Sequence, residues 1–314
     1  MSKILLIDGN NCLWRVQKIL PKLTTPDGVP VQVVYGFLKL LRGCLTQFEP
    51  DRVLVCWDKG KSVYRLALDP SYKHRRYQKE LTREEKRSLQ DTYRQMDVVR
   101  KLLKYLGVNQ VQIQGVEADD LIGAACKILK SLRMSSAETT IVSADRDMLH
   151  LVSRDVSVWS PMRKELYTRK NFKRHFGMSP KQYLEVRALE GDKTDNIPGA
   201  AKGLGGKTAK DLITEFGTLE ALYTVHARAL VEGHSNRHAL VYSKGARKRA
   251  ELNYELMNLR RIFPKALLGE VEKCLWRELR VDKVYLKKFF LKHKFRSLLE
   301  DFGAWTAPFR SIGG

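Results

Sequence analysis

No two of the five cysteines, Cys12, Cys44, Cys56, Cys126 and Cys274, stand in a C-x-x-C pair. That spacing offers neither a disulfide framework nor a structural zinc site, and small buried thiols in a reducing compartment are expected instead. No apolar run approaches the ~20 residues that cross a bilayer. The run at the start, Lys3 to Asp8, is too short for a secretory leader and is closed by an acid. A membrane is therefore not an expected partner, and the expected location is cytoplasmic. Repeats and low-complexity linkers are missing too, which excludes a solenoid. Acids are the scarcer charge, 35 Asp and Glu against 57 Lys and Arg, for a formal net charge of +22.

A field of that sign attracts polyanions and speeds their encounter, so nucleic acid is the leading partner. A surface charged only for solubility would spread the excess evenly. Instead, residues 59–87 hold ten Lys and Arg against four acids, and Tyr72 to Lys79 interleaves four cations with two aromatics. That pattern suits phosphate contact combined with base stacking. An anionic membrane surface would call for a basic amphipathic helix with a broad apolar face, which this segment lacks.

The chain's 314 residues allow one large α/β domain and a smaller module. Three apolar runs each end in an acid: Lys3 to Asp8, Arg52 to Asp58 and Thr139 to Asp145. Helical periodicity lies between them, in Val34, Phe37, Leu38, Leu41, Leu45 and Phe48, and again in Leu89, Tyr93, Met96, Val99 and Leu103. Strands separated by helices predict a mainly parallel twisted sheet flanked by helices, with the strand ends sharing one edge. In open α/β sheets the functional crevice lies outside the carboxyl ends of the strands.

Further on, Ser179, Pro180 and Gln182 spell a helix start with a capping box, running to about Glu190. A turn-rich loop over 191–199 follows, then a glycine hairpin at Gly203, Gly205, Gly206 and Lys207 opening a helix through Phe216, and Thr218 caps another at 219–223. Residues 59–83 lack an apolar period and read as a loop or arch.

Hydrolysis of a phosphodiester needs an activated water, a stabilised leaving oxygen and relief of charge on the phosphate, which two divalent ions about 4 Å apart supply. Magnesium or manganese prefers oxygen ligands, so such a site must gather carboxylates that otherwise repel one another. Asp8, Asp58, the Glu117, Asp119, Asp120 group, the Asp145, Asp147 pair and the Asp192, Asp195 pair are the candidates. Each group has an ordinary reading as well. Acids in a first helical turn complement the helix dipole, and Asp145, Asp147, Asp192 and Asp195 suit caps and turns. Their joint placement after successive strands and at helix starts favours the ion site.

The runs Asp8-Gly-Asn-Asn, Asp58-Lys-Gly-Lys-Ser-Val-Tyr-Arg65, Gly115-Val-Glu-Ala-Asp-Asp120, Ser143-Ala-Asp-Arg-Asp147 and Gly191-Asp-Lys-Thr-Asp-Asn-Ile-Pro-Gly199 resemble, in order, the motifs of the 5′ nuclease family. That family includes phage flap endonucleases and the 5′-nuclease domain of bacterial DNA polymerase I. The resemblance runs from residue 3 to about 260, and Leu291 to Leu299 is similar to the segment that follows the nuclease fold in the polymerase. No polymerase region follows here, so a stand-alone enzyme is expected.

The resemblance implies a metal-dependent nuclease domain over 1–178 that includes a basic arch at 59–90. A helix-hairpin-helix module over 179–262 and a basic helical segment over 263–314 would follow. It implies two Mg2+ or Mn2+ ions, with Asp8, Asp58, Glu117, Asp119 and Asp120 around one and Asp145, Asp147, Asp192 and Asp195 around the other. Lys73 and Arg76 would draw the scissile phosphate to the ions, Tyr72 would stack on a base, and Arg75 would add contact to DNA. Gly203, Gly205, Gly206 and Lys207 would clamp duplex phosphates through backbone amides and charge, with K+ held by backbone carbonyls.

The implied reaction cuts DNA near a 5′ flap, 5′ overhang or junction, leaving 5′-phosphate and 3′-hydroxyl ends, in replication or repair, by a monomer. Two other readings stand beside it: a non-catalytic branched-DNA-binding protein, and a ribonuclease acting on RNA:DNA hybrids, since phosphate contacts hardly distinguish the sugars.

Overall fold

Alternation along the strands builds two apolar layers. In β1 (Lys3–Asp8), Ile4 and Leu6 enter one layer and Leu5 and Ile7 the other. In β2 (Arg52–Trp57), Leu54 and Cys56 follow the first pair while Val53, Val55 and Trp57 follow the second. Strands apolar on both faces must be covered on both sides. The computed structural model describes residues 2–74, 80–132, 137–224, 240–310 and 312. In it, α1 (Gly9–Ile19) and α2 (Gln32–Phe48) cover the Leu5 side.

β1 pairs in parallel with β2 on one side and with β4 (Glu138–Val142) on the other, so that Ile7 lies level with Val55 and Val142. β3 (Asn109–Gln112) adds outside β2, and β5 (Val156–Ser160) outside β4. β6 (Glu165–Tyr167) closes the far edge antiparallel, giving the order β3-β2-β1-β4-β5-β6. The expected mainly parallel sheet is thus present. The chain winds outward from β1 to β3 and then returns to lay β4 against β1. The crevice beyond the ends of β1 and β4 is therefore the point where strand order reverses.

Residues 59–83 depart from the expectation of a loop. They contain α3 (Val63–Leu68), capped by Ser62, whose Oγ accepts from the Arg65 amide. Apolar periodicity could not reveal this helix, because the residue it buries is Arg65. The periodic segments fold as expected, in α2 and in α4 (Arg83–Tyr105), which a Thr82–Glu85 capping box opens. α5 (Ala118–Ser131) begins within the acidic run, with Glu117 at its N-cap and Asp119 and Asp120 in its first turn, and covers the Ile4 side of the sheet.

After α6 (Arg169–Phe176), the Ser179–Gln182 capping box opens α7 (Pro180–Glu190). α7 packs between α8 (Gly206–Phe216) and, beyond the short α9 (Leu219–Leu222), α10 (Lys244–Met257).

Residues 263–310 pack into both layers. Phe263 joins Val271 and Leu275 of α11 (Lys265–Leu275) in the layer that holds α5. The amide of Asn109 in β3 donates to the carbonyls of Leu275 and Arg277 at 3.2 and 2.8 Å. Leu286 and Phe290 of α12 (Lys283–Lys292), Leu298 of α13 (Arg296–Leu299) and Trp305 of α14 (Phe302–Thr306) enter the layer of α2 and α4, as do Phe295 and Phe309. The segment looks basic because Lys283, Lys287 and Lys288 occupy its exposed face. Among the described residues, no helix is long and apolar enough to cross a membrane.

Candidate metal centre at the strand ends

Two backbone-to-side-chain bonds and one between side chains stitch the ends of β1, β2 and β4 together. Asp8 closes β1 and caps α1, one carboxylate oxygen accepting from the Asn11 amide and the other from Ser143 Oγ, both at 3.0 Å. Asn10 Oδ1 accepts from the Asp58 amide and Asn11 Oδ1 from the Ala144 amide, both at 2.9 Å. The turn has no room for a side chain at Gly9, where a Cβ would stand 2.6 Å from the Trp57 ring. Asp58 reaches across to α5, its Oδ1 accepting from the Ala118 amide at 2.7 Å.

Glu117 precedes α5 as its N-cap, yet its carboxylate makes no capping bond. It accepts instead from Arg65 Nη1 at 2.6 Å, Tyr72 Oη at 2.9 Å and Lys73 Nζ at 2.9 Å. Asp119 takes two bonds from the same guanidinium, at 2.7 and 3.2 Å. Complementing the helix dipole does not account for these contacts. For Asp145 the capping reading does hold: it caps the turn at Arg146–Leu151 by accepting from the Asp147 amide at 2.9 Å.

Arg187, in α7, joins the other acids. Its Nη2 lies 3.0 Å from Asp147 Oδ1 and 2.6 Å from Asp192 Oδ2. Asp192 also accepts from the amide and hydroxyl of Thr194. Lys73 spans the gap between groups, with Nζ 3.6 Å from Asp195 and its amide donating to the Asp195 carbonyl at 2.8 Å. The two expected sets of acids therefore adjoin along one edge.

Among the described residues, nine carboxylates are set against the four cations that pair with them, Arg65, Lys73, Arg187 and Arg261, an excess of five negative charges there if every acid ionises. The crowding shows in the titration. Burial, and then Asp58 and Asp145, hold Asp8 well above the carboxylate range. Asp58 is pushed up to about 6 and Asp145 to about 7, through lost hydration first and neighbouring acids as well. Burial also raises Asp147, although Arg187 opposes it. Asp119 ends below its ordinary value because Arg65 and Lys73 outweigh its burial.

Among the described residues, no three acid, histidine or cysteine groups form a ready cage for an ion. Guanidinium and ammonium groups hold many of these oxygens, so ion binding would have to loosen those pairs. The donor set is all oxygen and carries surplus negative charge, which fits hard divalent cations. Two such ions would offset four of the five excess charges.

The structure also shows what the sequence reading missed. Asn10, Asn11 and Ser143 set the strand ends, and Arg65, Arg187 and Arg261 hold the acids. Arg187 had a legible signal, since an arginine inside the apolar stretch of α7 requires a buried acidic partner. Tyr72 is not placed to stack on a base: only 4% of it is exposed, and its hydroxyl donates to Glu117 and Asp195. Arg75 and Arg76 lie outside the described residues.

In the glycine hairpin, Leu204 is buried, while Gly203, in the left-handed region at φ 81°, and Gly205 have open space where a Cβ would stand. Gly206 starts α8 against the Glu190 carboxylate, and Lys207 is exposed beside it. No side chain caps the α8 amides, and no acid occupies its first turn.

Two models of one family cover nearly the whole chain: the 5′-3′ exonuclease N-terminal resolvase-like domain over residues 3–177, and the 5′-3′ exonuclease C-terminal SAM fold over 178–280. The chain belongs to the 5′-3′ exonuclease family. A 5′-3′ exonuclease of Bacillus subtilis is 34% identical over 230 residues, covering 70% of this chain and 73% of that one. The thermostable DNA polymerase I of Thermus thermophilus is 33% identical over 307 residues, 98% of this chain. The chain spans about a third of that polymerase's length, 34%.

Among solved structures, a bacteriophage T5 protein co-crystallised with metal ions superposes with a TM-score of 0.72 at 22% identity, over 87% of this chain and 97% of that one. The T5 flap endonuclease in a pseudo-enzyme-product complex with DNA and metal ions gives 0.70, over 87% and 93%. These likenesses establish the exonuclease-family fold. The two family models meet at 177/178.

Proposed function

We propose that this family member is a metal-dependent 5′ nuclease that hydrolyses DNA phosphodiesters near a 5′ flap, 5′ overhang or junction, leaving 5′-phosphate and 3′-hydroxyl ends. One observation carries the reading. Among the described residues, carboxylates from three strand ends, the start of α5 and the loop after α7 gather at the reversal point of the sheet, and they outnumber the cations paired with them. A relative aligned over 70% of this chain and 73% of its own length is a 5′-3′ exonuclease, which supports a nuclease acting from a 5′ end.

Asp8, Asp58, Glu117, Asp119, Asp145, Asp147, Asp192 and Asp195 would hold two divalent ions, Mg2+ or Mn2+. Such ions supply an activated water and stabilise the leaving oxygen. The chain's own groups do the rest. Lys73 stands between the two acid sets, where its ammonium can exchange a carboxylate for the scissile phosphate and offset its developing charge. The start of α8, which no side chain caps, together with Lys207, would take phosphates of the duplex without reading its sequence, and carbonyls of the same hairpin are the proposed holders of K+. A monomer suffices, because every acid comes from one chain.

The test is a magnesium titration on a 5′-labelled flap substrate, with duplex, single-strand and RNA:DNA controls, reading product lengths. Magnesium-dependent cutting at the flap base or 5′ end is expected, and Asp145→Asn is expected to abolish it while flap binding in EDTA survives. Wild-type cutting by Asp145→Asn would end the ion assignment. Binding with no magnesium-dependent product would make the chain a branched-DNA-binding protein instead.

A further inference from the structure

One of the nine acids is held differently from the rest. Asp120 is 1% exposed, and its two oxygens meet two different guanidinium groups, whereas both oxygens of Asp119 meet one. Asp120 Oδ2 accepts from Arg65 Nη1 at 3.1 Å, and its Oδ1 accepts from Arg261 Nε at 3.3 Å and lies 3.1 Å from Arg261 Nη2 in an ion pair. The side chain of its neighbour Asp119 keeps 20% exposure. A hydrated magnesium ion sheds water reluctantly and usually keeps several water ligands. A carboxylate enclosed by two arginines gives it no approach.

The two arginines lead elsewhere. Arg65 Nε donates to the carbonyl of Leu256, in α10, at 2.9 Å, while its other nitrogens hold Glu117 and Asp119. Arg261 follows α10, and its guanidinium is fixed between rings, 3.7 Å from the centroid of Tyr64 and 4.4 Å from that of Phe263. Within the same short segment, the Leu259 amide donates to His150 Nε2 at 3.1 Å, and His150 belongs to the turn that carries Asp147.

We infer that Asp120 is a positioning residue and not an ion ligand: it locks Arg65 to Arg261 and so ties the end of α10 in the helical module to the carboxylates Glu117 and Asp119. The inference rests on the two-ion reading above. Its physical basis is that a buried guanidinium stays where its partners are complete. Arg65 sets the positions of two ion-binding acids, Asp120 sets Arg65, and Arg261 sets Asp120. A module that grips duplex through α8 and packs through α7 on α10 is thereby joined to the acids by one continuous chain of ion pairs.

The experiment compares Asp120→Asn with Asp119→Asn in the full chain, measuring Mn2+ binding by calorimetry without DNA, flap affinity in EDTA, and kcat and KM with magnesium. Asp120→Asn is expected to bind as many Mn2+ ions as the wild type and to keep its flap affinity. Its kcat should fall at least ~10-fold, the lower end of the loss seen when partners that orient metal ligands are removed, with KM nearly unchanged. Asp119→Asn is expected to lose an ion. Combining Asp120→Asn with Arg261→Gln should cost little more than either alone, since both break one link.

Loss of an ion by Asp120→Asn, a wild-type kcat, or multiplying losses in the double variant would each overturn the inference. If Asp120→Asn does not fold, Arg261→Lys carries the test. It keeps the charge beside Asp120 but not the stacked fork, so the same kcat loss at unchanged Mn2+ binding is expected, and a wild-type kcat overturns the link. A wild type that neither binds Mn2+ nor cuts would sink the two-ion reading itself, an outcome distinct from failure of Asp120 alone.

Discussion

Lys73 occupies the left-handed region at φ 54°, a conformation an L-residue adopts at a cost. The bond from its amide to the Asp195 carbonyl and the ion pair with Glu117 hold it there. A side chain kept between two acid sets contributes charge at the reacting phosphate more than grip on the duplex. Lys73→Ala is therefore expected to lower turnover by ~10²–10³-fold, the cost of removing one group that stabilises transition-state charge, with flap affinity in EDTA changed far less. Equal losses in both measurements would reduce Lys73 to a general phosphate contact.

At the same scale, Asp58 and Asp145 bind protons in the folded chain up to about pH 6 and 7, whereas an ordinary carboxyl releases them near 3.8. More protons bound in the folded state means that stability without ions falls as pH rises from about 4 through about 7, and then levels off. Divalent ions favour the ionised form, so magnesium should raise the Tm more at about pH 8 than at about pH 5. Calorimetry with magnesium and with EDTA checks this. His150, held down to about 3 by burial, destabilises in the opposite direction as pH falls from about 6.5. Its Nε2 accepts from the Leu259 amide, away from the acid oxygens, so the magnesium-minus-EDTA difference largely cancels it. An equal gain at both pH values would count against the carboxylates as ion ligands.

Among the elements, the loop from Gly191 to Gly199 carries Asp192 and Asp195 on a tight bridge between Asp192 and Ile197. Gly191 has φ 76° and ψ −176°, and a Cβ there would lie 2.5 Å from the Ile197 carbonyl oxygen. Only glycine accepts both conditions. Gly191→Ala should cost ~1–3 kcal/mol of backbone strain and shift Asp192 away from Arg187. A lowered Tm together with a weaker magnesium response would show both effects, and a wild-type Tm would show that the loop relaxes without strain. α3 makes a related point. It is six residues long and buries an arginine, so its reason for folding is the acids of α5 and the Ser62 cap, not an apolar stripe.

For the molecule as a whole, residues 263–310 complete the sheet's cover. Phe290 is fully buried, with ring centroids 5.0 Å from Trp305 and 5.9 Å from Phe295 and Phe302. Phe290→Ala should cost ~3–5 kcal/mol, the usual range for emptying a buried aromatic site, as read by urea denaturation. A cost near zero would mean that α12 packs loosely and that this region is an appendage after all. Lengthwise charge has the same logic: Lys283, Lys287 and Lys288 face solvent while Leu286 and Phe290 face α4, so a basic composition hid an amphipathic helix.

The sequence alone determined the parallel sheet, the helices at 32–48, 180–190 and 206–216, and the identity of the acids, because periodicity, caps and short-range motifs are local properties of a chain. It also pointed to one edge of the sheet, since an acid after each of three parallel strands can emerge nowhere else. Only the tertiary structure decided which cation meets which acid. Arg65 and Glu117 are separated by 52 residues and Arg261 and Asp120 by 141, so no window of sequence contains both partners. It likewise decided that Tyr72 turns inward and that residues 263–310 close the core, because burial is set by what the rest of the fold leaves uncovered.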